Sequence, residues 1–474
     1  MQRLWDRLIA FLDRERVVQS LLGVNVLLAI GAFFLLRGSR TGDHHTYWNL
    51  GMGLLQGRYS FWYFLEQYPP DTFRTPGYPL FVALTSLGGR SLLATQLVQL
   101  ALHFGSLALA LRLVRKLAGD APIARVVFLL ALIPNAQLLF YLTAVFPETL
   151  MVFLVTLYLS LETDDPADNL GAHARIGLLL GFSALVRPVA MLVPFARFAF
   201  AMRRDHRGKR LAGAALSLVI TYLVLTPYAL WNSSVHHKFS FTPIEGSAPN
   251  REMGFWQLRL PNQPTERFWK TNWMGHELAS FVDPADVPRY VAEYHAQWDR
   301  IDAAAAPFLS DRDRANLPTM RSRPELFLTY DTPYTLARSQ AIEREYAARI
   351  REAPGYYLAT RVYTAARVWI TGVNVARLHE PGLKSKLVAL YPTVVSFLSF
   401  GLGLPFAAWA IARRGAASAS TLPFWLFGFV YWGAHVPMSI QSRYTVPMHL
   451  GALVLVATAL HGRIRLRASV PESS

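Results

Sequence analysis

A chain of 474 residues that is 53% hydrophobic and only 16% charged, with a mean hydropathy of +0.24, falls outside the range of soluble domains, which carry about 25% charged residues. It contains no cysteine, which excludes disulfides and cysteine-ligated metals. Its net charge of +16 sits in short basic caps at the ends of apolar runs (Arg14 and Arg16, 112–116, 203–210, Arg413-Arg414, 463–467). That is the positive-inside pattern of membrane spans, and a continuous basic face for nucleic acid is excluded.

Residues 1–16 are charged and amphipathic, and the apolar run at 17–36 is long, with no Ala-x-Ala site after it. It is expected to be a retained span and not a cleaved signal. With the basic caps taken as cytoplasmic markers, 17–36 leaves the cytoplasm and 37–90 lies outside. Within that loop the apolar stretch 78–87 is too short to cross a bilayer and is expected as a helix lying at the interface. The span 91–114 returns to Arg115-Lys116. Spans 124–144 and 147–161 make a hairpin around Phe146-Pro147, and 176–186 and 189–202 a shorter one hinged at Arg187-Pro188. Span 211–231 leads out to a polar region from Asn232 to about Ser385, after which 387–411, 422–440 and 445–460 complete about ten spans with both termini inside.

The expected fold is therefore an all-α polytopic membrane protein with a mixed outer region. Three parts follow: an N-terminal transmembrane module, 1–231, with its first outer loop 37–90; the outer region 232–385; and C-terminal transmembrane helices, 386–474. The outer region mixes Phe255-Trp256, Trp269, Trp273, Tyr290 and Trp298 with helical stretches such as 337–351. Its segment 355–371 alternates apolar and basic residues at helical spacing, which suggests a second interfacial helix.

The residues able to carry chemistry gather at the outer ends of the spans. Asp43 follows the first span; it reads either as a cap before His44-His45-Thr46-Tyr47 or as a general base held at the membrane surface. Glu148 opens the fourth span in Phe146-Pro147-Glu148-Thr149-Leu150, where an acid suits the positive end of a helix or, among apolar residues, a functional site. Arg74, Arg187 and Arg443 share the same outer level. Each could snorkel to headgroups, or offer a planar fork of donors to a phosphate. His44 and His45 invite a metal with Asp43, but adjacent histidines on a helix point about 100° apart. Gln96, Gln99 and His103 inside the second span are expected to hydrogen-bond between helices.

Taken in order, Gly42-Asp43…Tyr47…Gly57, Arg74-Thr75-Pro76-Gly77-Tyr78-Pro79-Leu80, Phe146-Pro147-Glu148-Thr149-Leu150, Gly177…Gly181…Leu185-Val186-Arg187-Pro188 and Arg443-Tyr444…Pro447 resemble the GT-C membrane glycosyltransferases. The nearest group is the bacterial proteins similar to dolichyl-phosphate-mannose protein mannosyltransferases and lipid A aminoarabinose transferases. The resemblance covers the spans and the first outer loop, and leaves 232–385 without a motif.

It implies a hexosyl- or pentosyltransferase that takes a sugar from a polyprenyl-phosphate (in bacteria, undecaprenyl-phosphate) donor to a glycan, lipid or protein acceptor. Transfer would occur with inversion at the periplasmic face of the inner membrane. Asp43 matches the family's catalytic acid and Glu148 an often acidic position; Arg74, Arg187, Arg443 and Tyr444 fall near the lipid phosphate. His44, His45 and Tyr78 stand as further substrate-binding candidates. His44 occupies the place where relatives often carry a second acid, which favours a metal-free mechanism with no cofactor. The alternatives are a transporter or flippase of lipid-linked sugars, and an oligosaccharyltransferase or ligase using a pyrophosphate-linked donor.

Overall fold

The structure, a computed structural model, describes residues 2–38, 42–164, 169–202, 207–260, 282–323, 326, 328–370, 382–413 and 418–468. The membrane-embedded N-terminal half runs α1 (Gln2–Leu12), α2 (Glu15–Leu36), α3 (Gly42–Leu55), α4 (Gly77–Thr85), α5 (Leu92–Ala118), α6 (Pro122–Leu132), α7 (Ala136–Phe140), α8 (Glu148–Thr163), α9 (Leu170–Val186), α10 (Val193–Ala201) and α11 (Arg207–His236). The segment between α11 and α17, called the outer segment after its expected position, holds α12 (Ala248–Trp256), α13 (Val287–Ala305), α14 (Asp311–Arg321), α15 (Thr332–Glu352) and α16 (Pro354–Arg367). The chain returns through α17 (Leu383–Ser396), a π-helical turn, α18 (Gly403–Ala412), α19 (Ser418–His435) and α20 (His449–Ala468). No strand occurs among the described residues.

Among the described residues, four helical stretches are long and apolar enough to cross a membrane: Glu15–Leu36, Leu92–Ala118, Gly208–His236 and Leu390–Ala412. Shorter apolar helices cover Pro122–Leu132, Leu170–Val186, Pro188–Ala201 and Val446–Gly462. The long helices turn large aliphatic side chains outward, among them Leu27, Leu35 at 84% exposure, Val219, Leu223 and Leu398. Such a surface is stable only against lipid. The chain is a multi-pass integral membrane protein.

The expected ten full spans are not all present as single long helices. The run at 124–144 is broken: α6 stops at Leu132 and α7 has only 5 residues. Pro134 has no N–H to continue a helix, and Asn135 turns inward to donate to His449 Nδ1 at 3.2 Å. The expected interfacial helix at 78–87 is α4, but one face of it is packed: Tyr78, Phe81 and Val82 are buried while Leu84 remains exposed. In α16 the polar side is the inner one. Thr360, Arg361, Thr364 and Arg367 are buried, whereas Leu358 and Val362 point outward. Trp269, Trp273, residue 371 and residues 203–206 of the basic cluster lie outside the described residues.

Helix α8 is the axis of the bundle. Glu148, Met151, Val155 and Tyr158 are buried between α5, α9, α19 and α20. Helix α9 packs most closely on α11 through Gly177-x-x-x-Gly181; a Cβ at Gly177 would lie 2.8 Å from the Ser217 carbonyl oxygen, and Thr221 Oγ1 donates to Gly177 O at 3.2 Å. Small residues at this spacing let two backbones meet where lipid supplies no hydrophobic drive.

The outer segment has its own aromatic core around Phe255, Trp256, Tyr294 and Tyr346. It also packs on the first outer loop, where Met320 and Leu326 join Tyr59, Phe61 and Trp62. Asn316 Nδ2 donates to Gln67 O at 2.7 Å, which fastens α14 to that loop.

Candidate functional site

Asp43 lies in the first turn of α3, 4% exposed, as a helix N-terminal acid whose side chain turns away to ion pairs. Arg74 Nη2 donates to Asp43 Oδ1 at 3.0 Å, and Arg443 Nη1 donates to Oδ2. Each carboxylate oxygen thus carries an arginine, one from 31 residues away and one from 400. Beside this triad, Arg187 Nη2 donates to Glu148 Oε1. Glu148 is completely buried, and its Oε2 has no hydrogen-bond partner among the described residues. Electrostatic interactions run from Arg187 to Glu148, Tyr431, Tyr47 and Arg443, so the two groups form one field.

Local chain chemistry explains how these side chains meet. Pro147 precedes α8, which leaves Glu148 in the first turn at the positive end of the helix dipole. Pro188 ends α9 at Arg187, whose extended backbone redirects the side chain. Gly77 lets the loop bearing Arg74 press on this break: a Cβ there would stand 2.6 Å from the Leu185 carbonyl oxygen. Aromatic rings supply the walls, with Arg74 4.1 Å over Phe73 and 5.2 Å over Tyr47, and Arg443 5.8 Å over Phe146.

The remaining candidates fall behind this front. Tyr78 is fully buried, and its hydroxyl donates to Gln99 Oε1 at 2.6 Å while its ring stands edge-on to Tyr47. Gln99 Nε2 in turn donates to the carbonyls of Leu142 and Ala144, and Gln96 Nε2 to Thr143 O. The glutamines of α5 therefore brace the turn that leads to Glu148. His44 Nδ1 accepts the Val145 N–H at 3.3 Å, bracing the same turn. His45 is half-buried, its ring edge-on to that of His44 at 5.6 Å. Tyr444 is buried, its ring tilted against that of His435 with centroids 4.3 Å apart. Among the described residues no three His, Asp or Glu side chains gather as metal ligands.

Asp71 is a residue that the sequence reading passed over. It is 1% exposed, and its Oδ2 accepts the N–H groups of Arg74 at 2.7 Å and Phe73 at 3.3 Å. The Arg74 carbonyl accepts from the hydroxyls of Tyr59 and Tyr228, at 3.0 and 3.2 Å. His236 Nε2 meets the Asp71 carbonyl at 3.2 Å. An acid three residues before an arginine in a Pro-rich turn was the available signal.

Burial pushes the Asp71 carboxyl up to about 7, although the N–H and the charge of Arg74 oppose the shift. Between the ordinary value of 3.8 and about 7 the folded chain keeps this proton and the unfolded chain has lost it. Raising pH through that window therefore lowers stability, and the loss levels off above it. Glu252, buried in the outer segment and pushed up to about 8, acts with the same sign. Asp71→Asn is expected to flatten the slope of thermal midpoint against pH relative to the parent protein. An unchanged slope would exclude Asp71 as its source.

An apolar cavity of about 200 Å³ opens between α8, α18, α19 and α20, lined by Trp369, Leu404, Phe424, Trp425, Met448 and Gly451. Met448 belongs to the 3-10 turn that directly follows the one bearing Arg443.

No protein-family model matches the chain, and no curated protein matches it either. Solved structures to which it is similar include an archaeal oligosaccharyltransferase, AglB from Archaeoglobus fulgidus, in complex with an inhibitory peptide and a dolichol-phosphate: 11% identity, TM-score 0.49, 96% of this chain and 52% of that one. ArnT from Cupriavidus metallidurans bound to undecaprenyl phosphate is 14% identical, TM-score 0.38, over 95% of this chain and 81% of that one. Its apo form gives 14% and 0.37 over 94% and 77%. The chain spans about half the length of the oligosaccharyltransferase. At these identities and TM-scores the likeness carries no chemistry over to this chain.

Proposed function

We propose that the protein is a GT-C-type membrane glycosyltransferase that moves a sugar from a polyprenyl-monophosphate donor to an acceptor at the outer face of the membrane. The observation that carries this reading is the meeting of Asp43 with Arg74 and Arg443, beside Glu148 and Arg187, at the outer ends of apolar helices. A lipid-linked sugar cannot leave the bilayer, so its anomeric carbon must react at that level. The cavity beside the Arg443 turn suits an isoprenoid tail in its apolar lining.

In the ground state both oxygens of Asp43 are engaged. A donor phosphate entering between Asp43 and Arg443 takes guanidinium donors for its own oxygens and frees a carboxylate lone pair. The acceptor hydroxyl then gives its proton to Asp43, its oxygen bonds the anomeric carbon from the far side, and the bond from that carbon to the phosphate oxygen breaks. The electron pair leaves with the polyprenyl phosphate, and the configuration inverts. Arg74, Arg187 and Arg443 meet the charge that develops on the leaving group; one well-placed donor in such a site contributes about 3 kcal/mol. Glu148 holds Arg187 in place. The reading keeps both termini on the cytoplasmic side of a bacterial inner membrane, the outer region 232–385 in the periplasm, and a glycan, lipid or protein as acceptor.

The test is mass spectrometry of the lipids that co-purify with the protein. A polyprenyl monophosphate bearing one sugar is expected. A pyrophosphate-linked oligosaccharide would redirect the donor assignment.

A further inference from the structure

Arg443 sits in a 3-10 turn, Ser442–Tyr444, at the end of a short strap, residues 436–441, that leaves α19 and contains no helix or strand. The strap is gripped from outside by the outer segment. Gln257 pairs with Ile440 through both ends of its amide: Nε2 donates to the Ile440 carbonyl at 3.1 Å, and the Ile440 N–H donates to Oε1 at 2.9 Å. The Ser439 N–H donates to Asn250 O at 3.0 Å. Arg361, 7% exposed, spreads its fork over three carbonyls, those of Val436 and Met438 at 3.2 Å and Gly254 at 3.3 Å. Gly254 permits this contact, because a Cβ there would lie 2.6 Å from the Met438 carbonyl oxygen. Leu258 and Ile440 close the apolar side with Tyr363.

The grip continues to the charge. Gln441 Nε2 donates to Ser439 Oγ at 3.0 Å, and Gln441 Oε1 accepts from Arg443 Nε at 2.7 Å. Arg443 then meets Asp43 through Nη1.

We infer that the outer segment sets the reach of Arg443: α12 with Gln257, and α16 through Arg361, clamp the strap, which makes Gly254, Gln257 and Arg361 positioning residues for the guanidinium that grips the donor phosphate. This rests on the reading of Arg443 as a phosphate ligand. The outer segment then acts on the donor side of the site without itself touching donor.

The test is binding of farnesyl phosphate to the full chain in detergent micelles, followed by calorimetry. The parent protein is expected to bind. Gln257→Leu, which removes both Gln257–Ile440 hydrogen bonds without adding a heavy atom, weakens binding about tenfold, the loss of one charge-assisted hydrogen bond at Arg443. Gly254→Ala does the same by pushing on Met438; if it fails to fold, Gln257→Leu still decides. In an Arg443→Gln background, Gln257→Leu adds nothing further, because both changes act through one group. Tight binding by both single variants overturns the inference, and so does additivity in the double variant, which is how general loosening behaves. Absence of binding by the parent protein overturns the phosphate reading itself.

Discussion

If Asp43 is the general base of the proposed sugar transfer, replacing it by asparagine is expected to lower the rate about 10³-fold, the contribution of such a base. Asparagine keeps the shape of the side chain and one acceptor oxygen for one of the two arginines, and its NH2 releases the other. What is lost is the lone pair that takes the acceptor proton. Binding moves the other way. In the native state Asp43 occupies one guanidinium donor each from Arg74 and Arg443, and a neutral amide holds them less strongly. An isoprenyl monophosphate therefore binds the Asp43→Asn variant more tightly than the parent. A fall in kcat with a tighter donor separates a base from a capping residue, whose loss would lower stability and leave both ligand terms in place. Near-normal turnover in the variant would remove Asp43 from the chemistry.

Arg187→Gln is expected to be the most damaging single change to stability. It strips the partner from Glu148, which is 0% exposed and has its second oxygen already unsatisfied among the described residues. Breaking a buried pair by removing one member costs about 3–5 kcal/mol, because an uncompensated charge stays behind. Removing both charges is milder: Glu148→Gln with Arg187→Gln recovers part of the loss while remaining inactive. Thermal unfolding in detergent compares the two. If the double variant unfolds at or below the single one, Glu148 and Arg187 do not share the buried pair that the structure draws.

Much of this site was legible in the chain. Asp43, Arg74, Glu148 and Arg187 each stand within two residues of a Pro or Gly at the end of an apolar run, and Arg443 four residues before Pro447; such ends collect at the membrane surface by hydrophobicity alone. Partner choice was not legible. Asp43 and Arg443 are 400 residues apart, and no local rule says that they meet while Glu148 takes Arg187. Tyr78 looked like a site residue because it lies in the motif; packing turns it against Gln99. Asp71 was missed because an acid in a turn reads as solvated until burial is known. The break in the third span had a signal in Pro134-Asn135, outweighed in a window average by the leucines around it.

Composition and the apolar runs determined by themselves that this chain is helical and embedded in a membrane, since transfer of apolar runs into lipid depends on residue type and length. Tertiary structure alone decided which arginine neutralises which acid, and that α12 and α16 clamp the strap behind Arg443. Those choices follow from close approach of distant backbones at Gly77 and Gly254. A glycine announces that a neighbour can come near; which neighbour does so is settled by the packing of the whole bundle.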